Sequence, residues 1–175
     1  MSDVEKYLRM VAEMQKHCSK RHGIESFVLE HGQEMPFVTE RPPDVRKGRM
    51  QRCFMNAARL AIGQPERFTY CEGFADAGTI PMYHAWVLDE LGRAVETTWP
   101  DLADSYYGVA FNHGFHITQM LRCEMYCLIY QPADKFRLLR GEFPPSEFLH
   151  PKWAKKIIQK NDIQLETSLV DLTRQ

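Results

Sequence analysis

The stretch HAWVLDELGRAVETTW, residues 84–99, constrains the fold most, because it predicts a β-hairpin whose register follows from its turn. If ELG is a three-residue loop, Gly92 takes the left-handed conformation that closes a type I turn with a bulge, and Asp89 pairs with Arg93. A four-residue loop would shift the register by one residue and turn alternate side chains to the opposite face. The stretch therefore predicts two antiparallel strands.

The predicted register brings a histidine and a carboxylate to one face of the sheet. Counting back from the turn, Trp86 faces Glu96 and His84 faces Thr98. His84 and Glu96 are then diagonal neighbours roughly 7–8 Å apart at Cα, a gap that a glutamate side chain can span. A histidine with a carboxylate partner is half of a nucleophilic catalyst, because the carboxylate fixes the tautomer and stabilises the imidazolium.

The rest of the chain predicts helices followed by antiparallel strands, which is typical of the α+β class. Ser2 and Glu5 have the spacing of a capping box at the start of a first helix. Residues 31–48 hold three prolines and two glycines and predict a long loop, typical of a binding or lid segment. The remaining predicted elements, in chain order, are a strand at IESFVLE, a helix in MQRCFMNAARLAIGQP, strands at RFTYCEGFA and PMYHAWVLD, a strand at RAVETTW, an extended or loop segment at SYYGVAF, a helix at ITQMLRCEM, a closing strand at YCLIYQP and an amphipathic helix at KWAKKIIQK.

A nucleophile for the histidine is available at Cys53. This cysteine follows a glycine-containing loop at the predicted start of a helix, where the helix dipole and free N–H groups favour a thiolate. The Gln51 side chain and the backbone N–H of Cys53 are candidate donors to an oxyanion. Trp86 and Trp99 are candidate walls that exclude water from the site.

Each of these residues also has a structural interpretation. Cys53 fits a small buried hydrophobe on a helix face, His84 a structural histidine, and Glu96 a solvated strand residue. Glu72 fits either a carboxylate that orients a neighbour or contacts substrate, or a buried and satisfied strand residue. Other candidate partners of the histidine are Asp89, Asp101 and Asn112.

A zinc site is the main competing chemistry. His113, His116, Cys123 and Cys127 are residue types that bind zinc. Their spacing, H-x2-H-x6-C-x3-C, matches no usual zinc knuckle. We therefore expect neither a metal site nor a cofactor.

Composition limits the classes of partner and compartment. The chain has 22 basic and 23 acidic residues and a net charge of −1, so no broad basic field favours nucleic acid. No apolar run approaches the roughly 18 residues that span a bilayer, and the charged N-terminus lacks the apolar core of a signal peptide. Five cysteines, an odd number, indicate free thiols in a reducing compartment, which predicts a cytoplasmic protein.

Four strings carry a family resemblance: CFMNAARLA, YCEGFA, HAWVLDELGRAVETTW and YYGVAF. They are similar to a group of bacterial and phage proteins with the pattern Cys-x-x-Asn-Ala, Tyr-x-Glu-Gly, His-Ala-Trp, Asp-x-Thr-Trp and Tyr-x-Gly-Val-x-Phe. The order Cys53, His84, Glu96 resembles the papain-like superfamily, in its transglutaminase-like and arylamine N-acetyltransferase-like branches. The resemblance covers roughly residues 50–111 and departs from the pattern at Glu96, where an aspartate is expected.

The resemblance implies one papain-like domain over residues 1–175, with N-terminal helices packed on an antiparallel sheet. Its catalytic core spans about 49–131, and a C-terminal helix spans about 151–161. It also implies a thiol hydrolase or acyltransferase that acts on a peptide or a small amide, isopeptide or thioester through an acyl-enzyme. The alternative is a binding or inhibitory module without turnover, such as a phage or host-defence protein that binds a protein partner.

Overall fold

The computed structural model describes residues 1–18, 23–78 and 80–152, and these belong to the α+β class, as predicted. A five-stranded antiparallel sheet has the order β1-β5-β2-β3-β4. The elements are α1 Asp3–Cys18, α2 Ile24–His31, β1 Gln33–Met35, α3 Cys53–Gly63, β2 Thr69–Asp76, β3 Met82–Leu88, β4 Ala94–Val95, β5 Ser105–Ala110, α4 His113–Cys123, a 3₁₀ turn Pro132–Asp134 and α5 Pro145–Phe148.

The N-terminal helix starts as its capping residues predict. The Ser2 hydroxyl accepts a hydrogen bond from the backbone N–H of Glu5 at 3.3 Å. Val4 and Leu8 are fully buried in the main core, which joins α1 to the sheet. Within the described ranges, no helix is both long and apolar enough to cross a membrane. The C-terminal helix predicted at about 151–161 lies almost entirely outside the described residues.

The hairpin has the predicted turn and register. Gly92 has a φ of 77°, and the Asp89 N–H donates to the Arg93 carbonyl at 3.0 Å. Val87 pairs with Val95, which continues the same register. The second strand is shorter than predicted because β4 ends at Val95. Glu96 therefore starts an irregular segment that is free to turn its side chain toward the sheet.

The strand predicted at IESFVLE is wrong, because these residues form α2. Phe27 and Val28 are buried, and His31 lies one turn beyond Phe27, with its ring 4.6 Å from the Phe27 ring. The run is short and largely apolar, so alternation and helical spacing cannot be separated in it by sequence alone. Packing against α1 and β5 selects the helix.

The closing strand predicted at YCLIYQP is also wrong. The backbone N–H groups of Leu128 and Ile129 donate to the side chain of Glu72 rather than to a neighbouring strand. The segment SYYGVAF, predicted as extended or loop, supplies β5, which lies between β1 and β2. The sheet thus gains its fifth strand from residues 105–110 and not from 126–132.

Helix α3 packs closely on the sheet because the side chains on its inner face are small. Ala57, Ala58 and Ala61 of α3 are fully buried, and they share the main core with Ala85 and Val87 of β3. Small side chains on both elements let a helix backbone approach a strand closely. This packing brings the first turn of α3 beside β3, the strand that carries His84.

Candidate active site

His84 and Glu96 form a buried pair. The His84 Nε2 and Glu96 Oε2 atoms are 2.9 Å apart, and the two side chains are 2% and 0% exposed. The sequence predicted this contact from the turn length. Among the other candidate partners, Asp89 bonds to the backbone of its own turn, and Asn112 caps α4.

Four donors hold the Glu96 carboxylate. Oε2 accepts from His84 and from the Tyr106 hydroxyl at 3.2 Å, while Oε1 accepts from the N–H groups of Thr98 at 2.6 Å and Trp99 at 3.0 Å. Burial by itself would raise the pKa of this carboxyl. The hydrogen bond and charge of His84 and the two N–H groups outweigh burial and lower the pKa of Glu96. The group is therefore a buried carboxylate fixed at both oxygens.

The Cys53 thiol is half-buried at the first position of α3, near enough to His84 to interact with its ring. Because Glu96 occupies Nε2, Nδ1 is the ring nitrogen available to the thiol. Burial disfavours the imidazolium, but hydrogen bonds and Coulombic attraction to Cys53 and Glu96 prevail and raise the pKa of His84 to about 9.

Trp99 covers the pair. Its ring stacks on the His84 imidazole with centroids 3.8 Å apart and planes 12° apart. A π-face against an imidazolium is an attractive arrangement, and it keeps water from that side of the ring. Trp99 therefore lies against the histidine, where a wall of the site was predicted.

Two of the predicted site residues, Trp86 and Glu72, lie entirely inside the protein. Trp86 is fully buried and packs edge-to-face on Tyr106, behind His84. Glu72 is fully buried and accepts from the hydroxyls of Tyr70 and Tyr83 and from two backbone N–H groups of 128–129. In this conformation neither side chain has surface for substrate, and the hydrogen bonds of Glu72 anchor the loop after α4.

Gln51 is the predicted side-chain donor to an oxyanion, and it lies two residues before Cys53. It is exposed, and its φ of 62° is left-handed, which L-residues seldom adopt. This turn leads the chain into α3 two residues before Cys53. The N–H of Cys53, as the first helical residue, has no partner inside the helix and remains available to an oxyanion.

Arg41 is a site residue that the sequence did not reveal. Its Nε donates to the Glu96 carbonyl at 3.0 Å, and its Nη2 donates to the Trp99 carbonyl at 2.5 Å. The guanidinium thus holds both ends of the segment that carries the carboxylate and the stacked indole. Its only sequence signal was its place in the long loop 31–48, and a lone arginine in a loop has no characteristic spacing.

Asn56 joins α3 to the same segment. Its Nδ2 donates to the Thr98 hydroxyl and to the Arg49 carbonyl, both at 2.8 Å. The Gly48 N–H adds a bond to the Thr97 carbonyl at 2.8 Å. The loop before Cys53 and the turn after Glu96 are therefore tied together.

The residues of the zinc alternative do not converge. His116 is buried and stacks on the Tyr70 ring with centroids 4.1 Å apart, while Cys127 bonds to the Tyr130 carbonyl. Across the described part of the chain, no three His, Cys, Asp or Glu side chains are grouped so as to hold a metal ion.

Comparisons with protein-family models, with curated proteins and with solved structures find no match to this chain.

Proposed function

We propose that the protein is a thiol-dependent hydrolase or acyltransferase that acts on an amide, isopeptide or thioester bond through Cys53, His84 and Glu96. One observation carries the proposal: a single imidazole interacts both with a half-buried thiol and with a carboxylate that is fully buried and fully hydrogen-bonded. Such a histidine can take the thiol proton and keep the resulting charge.

The acylation step follows from these positions. Cys53 Sγ forms a bond to the carbonyl carbon as the thiol proton passes to His84 Nδ1, and Glu96 stabilises the imidazolium. The Cys53 N–H donates to the oxyanion, and Gln51 is placed to add a donor if its side chain turns inward. When the intermediate collapses, the bond to the leaving amine or thiol breaks and His84 returns the proton to it, which leaves an acyl-enzyme.

Deacylation reverses the proton movements. The acceptor gives a proton to His84 as it attacks the acyl-enzyme, and Cys53 leaves as the thiol. Water as acceptor gives hydrolysis and an amine gives transfer. The contacts with Cys53 and Glu96 that raise the pKa of His84 stabilise the imidazolium formed when the thiol gives up its proton, and this imidazolium then serves as the proton donor to the leaving group.

The papain-like fold belongs to the same proposal. It is supported by the chain order of a cysteine at a helix start, a histidine on a strand and a carboxylate just after the next strand, all around an antiparallel sheet. A peptide or small amide or thioester substrate in the cytoplasm fits this chemistry.

Thiol labelling tests the proposal. With a small iodoacetamide at near-neutral pH and peptide mass spectrometry, we expect Cys53 to react ahead of the other four cysteines. His84→Ala should slow this labelling by roughly 10-fold or more, since it removes the base. Cys123→Ala is the matched control, because Cys123 is also half-buried but lies at the end of α4.

If Cys53 reacts no faster than a free model thiol, the proposal fails. The binding-module alternative predicts, in addition, that Cys53→Ala leaves the biological effect of the protein intact. An acyl adduct on Cys53 after incubation with a simple thioester, absent in His84→Ala, would distinguish an enzyme from such a module.

A further inference from the structure

A cavity opens beside the indole that covers the candidate catalytic histidine. Its volume is about 430 Å³, which lies in the range of roughly 300–1,000 Å³ typical of small-ligand sites. Met82, Trp99 and Leu102 supply apolar walls, and Asp101 and Asp104 supply carboxylates. The cavity therefore combines an apolar surface with two negative charges.

The cavity belongs to the histidine side of the site. Met82 precedes His84 by two residues on β3, so the two side chains project to the same face of the sheet. Trp99 both lines the cavity and stacks on His84. Neither Cys53 nor Gln51 lines it. Because the imidazole delivers its proton to the leaving group, this side meets the leaving-group part of a substrate.

The charge of the cavity is uncompensated. Asp101 and Asp104 are exposed, and among the described residues neither carboxylate has a side-chain ion pair. The cavity has no basic residue in its lining. The nearby Arg41 is engaged with the Glu96 and Trp99 carbonyls and does not line the cavity.

We propose that this cavity is a subsite for a cationic side chain, an ammonium or guanidinium on an aliphatic stem, in the leaving or accepting part of the substrate. Trp99, Met82 and Leu102 contact the stem, as they would the methylenes of a lysine or arginine. Asp101 and Asp104 bind the cationic head, and the indole face of Trp99 adds a cation–π contact. The subsite rests on the proposed function, which it makes selective for a basic substrate.

A binding experiment that needs no turnover tests the subsite. The full chain carrying Cys53→Ala is titrated with N-acetyl-lysine N-methylamide and with its uncharged norleucine analogue, and amide NMR shifts are followed. We expect the lysine compound to shift residues 99–104 and to bind roughly 5-fold more tightly than norleucine at low salt. Adding Asp101→Asn and Asp104→Asn should remove that preference.

Glu34→Gln is the matched control, because Glu34 is an exposed carboxylate on β1, at the opposite edge of the sheet. It should leave the preference for lysine unchanged. If the double variant folds poorly, Asp101→Asn alone should reduce the logarithm of the lysine-to-norleucine affinity ratio by roughly half. Equal binding of lysine and norleucine, or a preference that survives loss of both aspartates, overturns the subsite.

A second measurement separates the two proposals. The unmodified chain is acetylated with acetylthiocholine and with 3,3-dimethylbutyl thioacetate, which share an acyl group and differ in the charge of the leaving thiol. The subsite predicts faster formation of acetyl-Cys53 from the cationic compound and loss of that advantage in the double aspartate variant. Lysine-selective binding without acetylation of Cys53 would overturn the proposed function and leave the subsite standing.

Discussion

Replacing Glu96 with glutamine tests the electrostatics of the site most directly. The carboxylate accepts at both oxygens, from His84 and Tyr106 on one side and from Thr98 and Trp99 on the other. A glutamine has the same shape but only one acceptor oxygen, and its amide nitrogen must face one pair of donors. The substitution therefore removes the negative charge and leaves at least one buried hydrogen-bond donor without an acceptor.

The magnitude follows from the pKa of His84. The difference between about 9 and the ordinary value of 6.5 corresponds to about 3 kcal/mol, at roughly 1.4 kcal/mol per pH unit. Cys53 and Glu96 share this stabilisation, so Glu96→Gln forfeits roughly 1.5 kcal/mol of it. The buried donor left without an acceptor costs about 1–3 kcal/mol more. We expect the free energy of unfolding to fall by about 3 kcal/mol at pH 6.5.

The pH dependence distinguishes the two contributions. A histidine whose pKa is raised on folding stabilises the protein fully below pH 6.5, and this stabilisation is lost as the pH rises through about 9. The difference in unfolding free energy between the unmodified protein and Glu96→Gln should therefore narrow by roughly 1.5 kcal/mol between pH 6.5 and 9.5. The part of the difference that comes from the unsatisfied buried donor should persist. The lowered pKa of Glu96 adds stability that is present above about pH 4.5 and lost in acid.

Urea unfolding at several pH values measures the difference, and NMR titration of His84 measures its pKa in both proteins. Repeating both in a Cys53→Ser background isolates the contribution of Glu96 from that of the thiol. Glu34→Gln, at the exposed position of β1, supplies the same chemical change without the contacts. If the difference in unfolding free energy stays constant from pH 6.5 to 9.5 and the titration midpoint of His84 is the same in both proteins, then Glu96 does not raise the pKa of His84 and the reasoning is refuted.

Two further predictions concern the frame around the site. Arg41→Ala should slow alkylation of Cys53 by roughly 10-fold and lower the pKa of His84, because the 96–99 segment loses both of its hydrogen bonds from the guanidinium. Arg41→Lys should recover part of the alkylation rate and part of the pKa. Equal alkylation rates in all three proteins would exclude a positioning role for Arg41. Gly108→Ala should destabilise the fold by about 1–3 kcal/mol in thermal or urea unfolding, since its Cβ would lie 2.6 Å from the Glu72 carbonyl and 2.7 Å from the Trp86 ring. Gly63→Ala, whose Cβ meets nothing within 4 Å, is its control and should be neutral or slightly stabilising.

The parts of the structure that the sequence predicted are those fixed by local chemistry. A glycine at the left-handed position of a three-residue loop sets the register of the hairpin, and the register places His84 and Glu96 together. The capping serine and the position of Cys53 at a helix start are equally local. Each depends on a few neighbouring residues, so no knowledge of distant contacts was needed.

The features that escaped prediction depend on partners far along the chain. The run 126–132 has strand-like composition, but a carboxylate on β2 captures its N–H groups. Strand β5 forms because it pairs with β1 and β2, and no pattern within residues 105–110 predicts these partners. Arg41 acts on carbonyls 55 and 58 positions away in sequence. Long-range hydrogen bonds to backbone groups leave no periodic trace in a sequence.

The hydrogen bond from Tyr106 to Glu96 has a consequence for how the protein is made. A ribosome releases Cys53 first, then His84, then the carboxylate, and last the strand whose tyrosine helps to hold that carboxylate. Because β5 also fills the sheet between β1 and β2, the strand bearing His84 is not set in a finished sheet until residues 105–110 have emerged. In a nascent chain the Cys53 thiol thus has no fixed imidazole–carboxylate pair beside it until residues 105–110 have emerged and the sheet can close.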